Sequence, residues 1–437
     1  AVGRREQRDF ARRLIRHHGC GLGERFPDPE TRGIIFCRLV GLAKGCSAVS
    51  VGLLQAMCDL LNMGVIPVIP RLGSVGASGD LTPLSYLAAV LMGEREAIYR
   101  GESMSAAQAL GCADLKPFSV APKETLAIMN CTAAMTAVAG LTALRLGRVI
   151  GLVERSTALL AEVMYARTQP FAPLAHKLKP HPGQVRSAAA IHKALEGSQL
   201  VDPERGEGAL QDPYSIRCAP QVLGAARDAL SWVEQVIQRE LNSVDDNPIV
   251  DPESEQILFA GNFYGGHLAL TMDLVKITAS NVADLLDRQL ALMLDSRYNH
   301  GLPDTLVKYR GQGIKGMQIT TSALTALTVQ RAAPDSVLSR PTEVGNQDKV
   351  SMGLNAALNA AESVKLLQRV LATLLVALSN AAALRGEQRF SPAGRVLLAR
   401  VRECSEPLTA DRRLDHDVEC LANELMELGP VAEGHNP

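Results

Sequence analysis

One run of residues has the composition of a loop that could do chemistry, from Gly73 to Asp80 (Gly-Ser-Val-Gly-Ala-Ser-Gly-Asp). Glycines repeated at this spacing can cradle a phosphate, but a P-loop needs a lysine before its Ser or Thr, and none stands here. A dinucleotide-binding fingerprint needs an uninterrupted strand before the glycines, and Pro67 and Pro70 interrupt this one. Neither phosphate-binding motif therefore fits.

A different chemistry fits the tripeptide Ala77-Ser78-Gly79. A glycine nitrogen without a neighbouring Cβ can approach the carbonyl two residues upstream, which is the geometry of backbone cyclisation in a compressed turn. Loss of water from that ring and from Ser78 leaves an exocyclic methylidene, an electrophile that no standard side chain supplies. The other interpretation is a Gly/Ser turn capping the helix that starts near Thr82-Pro83, and the tripeptide alone favours that turn.

The longer run from Gly73 to Ser85 favours the electrophile, because it resembles the signature of the aromatic amino acid ammonia-lyases and 2,3-aminomutases. This family includes the histidine, phenylalanine and tyrosine ammonia-lyases, and the resemblance covers essentially the whole chain. Further segments match in the family's order: Met129-Asn130-Cys131-Thr132, Lys179-Pro180-His181-Pro182-Gly183-Gln184, Gln211-Asp212-Pro213-Tyr214-Ser215-Ile216-Arg217-Cys218, Gly261-Asn262-Phe263-Tyr264-Gly265 and Asn346-Gln347-Asp348-Lys349-Val350-Ser351-Met352-Gly353.

The resemblance implies that Ala77, Ser78 and Gly79 form a methylidene-imidazolone group autocatalytically, with no metal and no dissociable cofactor. Asp80 and Phe263 match residues that assist ring formation and pack over the ring. An isolated phenylalanine is otherwise a plain core residue.

Four more residues match positions that bind substrate or face the ring. Asn130 matches the asparagine that positions the electrophile and the substrate amine; a turn or helix-cap asparagine is the alternative. Arg217 suits a substrate carboxylate, because a guanidinium can hold it through two parallel hydrogen bonds, although a surface ion pair would also explain it. Tyr214 is three residues earlier, on the same side of a helical turn, and resembles the tyrosine that faces the ring; a buried structural tyrosine is equally compatible. Gln211 resembles another polar lining residue.

Two positions bear on the substrate ring. Gln347 falls where histidine ammonia-lyases carry glutamate and where members acting on phenylalanine and tyrosine carry glutamine, so histidine is disfavoured. His17 falls where tyrosine-acting members carry histidine and phenylalanine-acting members carry phenylalanine. Its imidazole could pair with a phenol inside a buried site, which favours tyrosine. His18 matches the second residue of the Ser-His version in histidine ammonia-lyases, and two surface histidines on a basic helix are the alternative.

The resemblance implies elimination of ammonia from L-tyrosine or L-phenylalanine to give a trans-arylacrylate, after the substrate amine adds to the methylidene carbon. A 2,3-aminomutase uses the same residues and re-adds ammonia at the β-carbon. A catalytically silent structural or binding protein on this scaffold is the alternative of another class. Family members are homotetramers with active sites shared between subunits, and we expect the same assembly here.

The sequence departs from the family pattern at two places. The family's upstream segment Tyr-Gly-x-x-Thr-Gly-x-Gly, whose tyrosine is the catalytic base, has no match. We expect that segment to precede Ala1 in the full protein; a protein that began at Ala1 would build the electrophile and have almost no activity. Cys131 stands where many relatives carry glycine.

The elements that must position these residues are mostly helices. Polar and apolar residues alternate with the helical period over residues 141–166, 223–241, 267–297 and 352–384, which predicts four long helices. Strand signals are few and short, over 65–69 with Pro67 inside it and over 257–260. We expect a mainly α fold, a long-helix bundle with a smaller N-terminal region that carries the loop. The expected organisation is one lyase unit over 1–437, with that region at 1–140, the bundle at 141–384 and a helical tail at 385–437.

Composition fits such a fold and excludes several classes of protein. The 437 residues carry 45 Lys and Arg against 46 Asp and Glu, without the basic excess that a nucleic-acid partner requires. The uncharged stretch from Val370 to Leu384 is shorter than a membrane span, which predicts a buried helix. The histidines and cysteines show no metal-ligand spacing, so we expect no metal. Nine scattered cysteines without a CxxC pair, and no signal peptide, predict reduced thiols and a cytoplasmic location.

Overall fold

The computed structural model describes residues 4–202 and 210–427, and these are mostly α-helical, which confirms the predicted class. The described helices are α1 (Arg4–His18), α2 (Asp28–Leu42), α3 (Val51–Met63), α4 (Leu81–Leu91), α5 (Ala106–Cys112), α6 (Pro122–Met129), α7 (Ala133–Val163), α8 (Pro173–Lys177), α9 (Pro182–Ala194), α10 (Tyr214–Arg217), α11 (Ala219–Leu241), α12 (Gly266–Met293), α13 (Lys315–Gln330), α14 (Gly353–Arg385), α15 (Pro392–Cys404) and α16 (Asp415–Glu427). Short 3-10 helices lie at Gln169–Phe171, Glu343–Gly345 and Glu387–Arg389.

The four predicted long helices are present as α7, α11, α12 and α14, with small differences at their ends. α7 begins earlier than predicted because residues 133–140 are almost all small or apolar, so the pattern has few polar positions to mark the start. α12 ends before residue 297, where the Asp295 carboxylate accepts a hydrogen bond from the Arg297 backbone N–H at 2.9 Å and forms a turn. The uncharged stretch of α14 is buried over residues 370–382, as predicted.

The described strands are short and form small antiparallel sheets. They are β1 (Leu22–Arg25), β2 (Ile66–Pro67), β3 (Pro70–Leu72), β4 (Glu96–Tyr99), β5 (Glu102–Ser105), β6 (Ile249–Asp251) and β7 (Gln256–Leu258). The strand predicted over 65–69 is two strands in different sheets: β2 pairs with β4, whereas β3 pairs with β1. Proline lacks the N–H that a continuous ladder needs, which explains the break.

Packing within the chain divides it into two units, each made of separated segments. The first unit takes the described parts of Ala1–Thr142, Val233–Asp273 and Pro334–Ala361, and the second takes those of Ala143–Trp232, Leu274–Ala333 and Glu362–Pro437. Within the first unit, α4 packs against α1 and α6. Within the second, Arg227 of α11 binds Glu154 of α7 through two hydrogen bonds of 2.6 Å. The sequence-based boundaries at 140 and 384 stay a prediction.

The expectation that all thiols are reduced is wrong for Cys404 and Cys420, which form a disulfide between α15 and α16. The two cysteines are separated by 16 positions in the sequence. No short motif marks such a pair, because two helices must first pack before their sulfur atoms can meet.

Two helical stretches, Pro122–Val163 and Gly353–Arg385, are long and apolar enough to cross a membrane by length and composition. In each, 83% of the apolar window is buried inside the chain. Burial of this extent is typical of core helices, which are apolar around most of their circumference.

Candidate active site

The loop from Gly73 to Asp80 connects β3 to α4, and its end is pressed against the bend between α6 and α7. Gly79 has a left-handed φ of +67°, and a Cβ there would lie 2.1 Å from the Cys131 carbonyl oxygen. The Asp80 backbone N–H donates to that same oxygen at 2.6 Å. Only glycine can therefore occupy position 79 with this backbone.

The beginning of the loop is held by the segment that precedes α14. The Met352 backbone N–H donates to the Val75 carbonyl at 3.0 Å, and the Ser351 hydroxyl donates to the Gly76 carbonyl at 3.2 Å. Gly76 also has a φ of +67°, and a Cβ there would lie 2.2 Å from Ser351 Oγ. The loop is thus fixed on both sides of Ala77-Ser78, and these two residues are half-buried.

The Asp80 carboxylate is buried directly behind this turn. It accepts hydrogen bonds from the Met135 backbone N–H at 2.8 Å and from the Ser74 hydroxyl at 3.0 Å. Burial raises the pKa of the Asp80 carboxyl to about 7, although the hydrogen bonds from Met135 and Ser74 act to lower it. A carboxyl that titrates near neutral pH can hold or release a proton beside Gly79.

Ser78 is the point where two other predicted site residues meet. The Asn130 side-chain amide donates to the Ser78 carbonyl at 2.9 Å, and the Gln347 amide donates to Ser78 Oγ at 3.1 Å. The Thr342 hydroxyl donates to the other end of the Gln347 amide at 2.6 Å and fixes its orientation. Asn130 Oδ1 is buried and has no hydrogen-bond partner among the described residues, so it can accept one from a bound molecule.

These features fit the proposed prosthetic group. Gly79 is in a left-handed turn without a Cβ, which is compatible with cyclisation, and Ser78, which would lose water, is only half-buried. The unpartnered Asn130 oxygen and the neighbouring Asp80 carboxyl supply polar contacts beside it. Among residues 4–202 and 210–427, no cluster of His, Cys, Asp or Glu has the arrangement of a metal site.

The two histidines lie in the last turn of α1. His17 is exposed in the single chain, which agrees with the alternative of a surface histidine on a basic helix, and its ring meets that of His18 edge to face at 4.9 Å. Its contact with the substrate ring stays a prediction. The side of α1 that packs inward carries Ala11 and Ile15, which explains why His17 faces outward. His18 is half-buried, and its Nδ1 lies 2.9 Å from the Leu14 carbonyl.

Phe263 also belongs to the first unit and lies half-buried in the turn between β7 and α12. No hydrogen bond or ring contact is described for it, so its packing over the ring stays a prediction.

The second unit holds Gln211, Tyr214 and Arg217. The Arg217 guanidinium carbon lies 4.5 Å from the centre of the Tyr214 ring, as expected for residues on one side of a helical turn. Tyr214 is 70% exposed, so a buried structural role is excluded in the single chain. Arg217 Nε is buried and has no hydrogen-bond partner in the described part of the chain. Gln211 is exposed.

Sequence analysis did not identify several residues that support these groups. Ser74, Thr342 and Ser351 bind the loop or Gln347 by local hydrogen bonds, which leave no periodic signal in a sequence. Gln289 could have been found, because it is a polar residue on the buried face of α12. Its amide donates to the Ser215 carbonyl at 2.9 Å and to the Thr157 hydroxyl at 3.1 Å, and so anchors α10.

Comparison with known proteins gives consistent matches over almost the whole chain. A sequence model described as aromatic amino acid lyase matches residues 1–403. A histidine ammonia-lyase of Anaeromyxobacter sp. (strain K) is 38% identical, over 98% of this chain and 86% of the relative. A tyrosine ammonia-lyase of Cereibacter sphaeroides is 37% identical, over 96% and 84%. The crystal structure of a tyrosine aminomutase from Streptomyces globisporus superimposes with a TM-score of 0.93 at 34% identity, covering 98% of this chain and 84% of that one.

Proposed function

The chain belongs to the aromatic amino acid lyase family and is a carbon–nitrogen lyase, and we propose that its substrate is L-tyrosine or L-phenylalanine. In this proposal, the enzyme eliminates ammonia and releases a trans-arylacrylate. Histidine and tyrosine ammonia-lyases match the chain at nearly equal identity, so overall similarity does not choose between substrate rings. The choice has to rest on individual residues.

The observation that carries the proposal is the arrangement around Ser78. Gly79 lies in a left-handed turn with no room for a Cβ beside the Cys131 backbone, Asn130 donates to the Ser78 carbonyl and Gln347 donates to its hydroxyl. These contacts join three distant parts of the chain at one serine. A Gly/Ser turn that only capped α4 would need none of them.

We propose that this turn matures by loss of two water molecules. The Gly79 nitrogen attacks the Ala77 carbonyl carbon, and the carbonyl oxygen leaves as the first water with the amide protons of Gly79 and Ser78, which leaves a double bond between that carbon and the Ser78 nitrogen. Ser78 then loses its α-proton and its hydroxyl as the second water, which creates the exocyclic double bond. Asp80, with a pKa raised by burial to about 7, is the group placed to hold a proton during these steps.

The mature methylidene-imidazolone supplies an electrophilic carbon that turns the substrate amine into a leaving group. The chain's own residues would orient the substrate around it. The free Asn130 oxygen accepts a hydrogen bond from the substrate amine, and an Arg217 of the assembled protein holds the substrate carboxylate. Tyr214 presents its hydroxyl from the same turn as Arg217.

A neutral ring at the substrate position is supported by Gln347. Its amide carries no charge, and Thr342 presents the N–H₂ end toward Ser78. A glutamate would favour a cationic or hydrogen-bonding imidazole, whereas an amide does not. We propose tyrosine over phenylalanine on the weaker ground of His17, and we expect His17→Phe to shift the ratio of kcat/KM values toward phenylalanine. An unchanged ratio would remove the reason for preferring tyrosine.

A tyrosine or phenylalanine 2,3-aminomutase is the second candidate. It is favoured by the close superposition on the Streptomyces globisporus tyrosine aminomutase. Both reactions share the elimination step and differ in whether ammonia re-adds before the product leaves.

We further propose that the protein is a cytoplasmic homotetramer with active sites shared between subunits. The 70% exposure of Tyr214 supports a shared site, because a tyrosine that contacts substrate must be covered in the working enzyme.

The test uses the full-length protein, incubated separately with tyrosine, phenylalanine and histidine, together with its intact mass. We expect a mass deficit of two waters and an arylacrylate product from tyrosine or phenylalanine. The variant Ser78→Ala should keep its full mass and be inactive. A β-amino acid formed from the earliest times would favour the aminomutase, and folded protein without the mass deficit would contradict the whole proposal.

A further inference from the structure

A fully buried arginine lies behind the candidate active site, and nothing in the family motifs gives it a function. Arg38, in the middle of α2, has a side chain with 0% exposure. Its Nε donates to the Ala127 carbonyl near the end of α6 at 2.6 Å, and its Nη2 donates to the same oxygen. Its Nη1 donates to the Asp245 carboxylate at 2.6 Å. The cation thus joins α2, α6 and the segment that follows α11.

Asp245 also binds Thr132, the residue that precedes α7. Its second oxygen accepts from the Thr132 backbone N–H at 2.8 Å and lies 3.0 Å from the Thr132 hydroxyl. That hydroxyl also lies 2.6 Å from Glu240 Oε1. The neighbouring Asp246 binds Lys123, in the first turn of α6, at 2.7 Å. α6 is therefore held near both ends by one acidic segment.

The bend between α6 and α7 consists of Asn130, Cys131 and Thr132, and each of them has a different partner. Asn130 donates to the Ser78 carbonyl, and the Cys131 carbonyl accepts from Asp80 and blocks any Cβ at position 79. Thr132 binds Asp245. Asn130 and Cys131 therefore contact the loop that would form the ring, and Thr132 is hydrogen-bonded to the buried ion pair.

We propose that Arg38 and Asp245 are positioning residues for both ring formation and catalysis, acting through the bend 130–132. This inference rests on the function proposed above. Cyclisation requires the Gly79 nitrogen to approach the Ala77 carbonyl, and the bend helps to set the backbone of this turn. The Cys131 carbonyl accepts from the Asp80 N–H at 2.6 Å and leaves no room for a Cβ at position 79. Small displacements matter, because a reacting group misplaced by about 1 Å can lower a rate on the order of 100-fold.

The ion pair is suited to this task because it cannot relax easily. The buried Asp246 carboxylate also lies 4.0 Å from Arg38, but Asp245 is the carboxylate that accepts a hydrogen bond from the guanidinium. Breaking a buried pair is strongly destabilising, so Arg38 and Asp245 hold each other in one arrangement. Water cannot replace a missing contact at a side chain with no exposure. Removing the Asp245 charge should therefore move the bend rather than leave a solvated gap.

The test compares Asp245→Asn with a matched control, Arg227→Gln, which breaks the largely buried ion pair with Glu154 in the second unit. Three quantities are measured: the melting temperature, the fraction of folded protein with the two-water mass deficit, and kcat and KM per ring-containing chain. For Asp245→Asn we expect a clear loss of ring content, together with a fall in kcat on the order of 100-fold in the chains that do form the ring. Arg227→Gln should lower the melting temperature and leave ring content and kcat per ring unchanged.

A milder variant decides the matter if Asp245→Asn does not fold. Thr132→Val removes one hydroxyl and keeps the shape of the side chain, so we expect folded protein with reduced ring content. Full ring content and unchanged kcat in Thr132→Val and in any folded Asp245→Asn would overturn the inference. Ring content and kcat in these variants that do not differ from those of Arg227→Gln would also overturn it. The wild-type mass separates this outcome from failure of the proposed function, because a wild-type protein without the deficit contradicts the function itself.

Discussion

Gly79 carries two constraints that usually occur apart. Its φ of +67° is in the region that residues with a Cβ adopt at a cost, and its α-carbon faces the Cys131 backbone at a distance that leaves no room for a side chain. Gly64 has a similar φ of +70°, but nothing lies within 4 Å of a Cβ placed there. Substitutions at Gly64 and Gly79 can therefore distinguish the cost of a left-handed backbone from the cost of a steric clash.

We expect Gly64→Ala to cost about 1–2 kcal/mol of unfolding free energy, the ordinary penalty of the left-handed region, and to leave ring formation intact. Gly79→Ala pays that penalty and must also displace the Cys131 carbonyl, so it should lower stability further and abolish the two-water mass deficit. Urea unfolding and intact mass measure the two effects. Equal stability losses in both variants would show that the Cys131 backbone moves freely and does not press on the loop.

Asp80 predicts a dependence of stability on pH. The unfolded carboxyl ionises near its ordinary value of 3.8, whereas burial keeps the folded one protonated up to about 7. A raised carboxyl pKa stabilises the fold at low pH, and the contribution is lost as pH rises through 7. With Ser78→Ala as the background, which blocks ring formation, we expect stability relative to Ser78→Ala/Asp80→Asn to fall by about 4 kcal/mol between about pH 4 and pH 8. Parallel curves for the two variants would rule out a raised pKa at Asp80.

At the scale of elements, α10 is the part that most needs outside support. It has four residues, Tyr214 to Arg217, which is too short to be stable by its own hydrogen bonds. Gln289 of α12 is completely buried and binds both the Ser215 carbonyl of α10 and Thr157 of α7. The position of Arg217 therefore depends on a side chain that is far from it in the sequence.

We expect Gln289→Met to loosen α10 and to raise KM roughly tenfold, because the substrate carboxylate would lose part of its charged hydrogen bonding to Arg217. Ring content should stay at the wild-type level, since the Ala77-Ser78-Gly79 loop belongs to the other unit. Asn281→Met is the matched control, because Asn281 is an exposed amide on the same helix that donates to the Ile277 carbonyl of its own turn. An equal rise of KM in both variants would mean that α12 as a whole, rather than the Gln289 amide, supports the turn.

For the whole molecule, the sequence predicts what is periodic or contiguous and misses what is made by distant contacts. The long helices follow from regular apolar spacing, and the loop at Gly73–Asp80 from an unbroken motif. The contact of Gln347 with Ser78 joins residues 269 positions apart. No local pattern predicts such a contact, and the two residues were identified as site residues through the family resemblance. Arg38 was missed because a single arginine in a mixed helix has the same pattern whether it is buried or solvated. The exposure of His17 in the single chain does not test its predicted contact with substrate, because that contact belongs to a completed site.

The proposed assembly with shared active sites makes a prediction that a single chain cannot test. If the ring comes from one subunit and Tyr214 from another, Ser78→Ala and Tyr214→Phe chains should each be inactive alone and regain activity when assembled together. Random mixing leaves an intact ring and an intact tyrosine together in about a quarter of the sites, so we expect about a quarter of wild-type activity. The chains would carry different tags, be co-expressed and be purified through both tags. Separately purified variants mixed without exchange should stay inactive. Inactive mixed tetramers would mean that ring and tyrosine serve the same site from one chain, and activity in Tyr214→Phe alone would exclude a catalytic function for its hydroxyl.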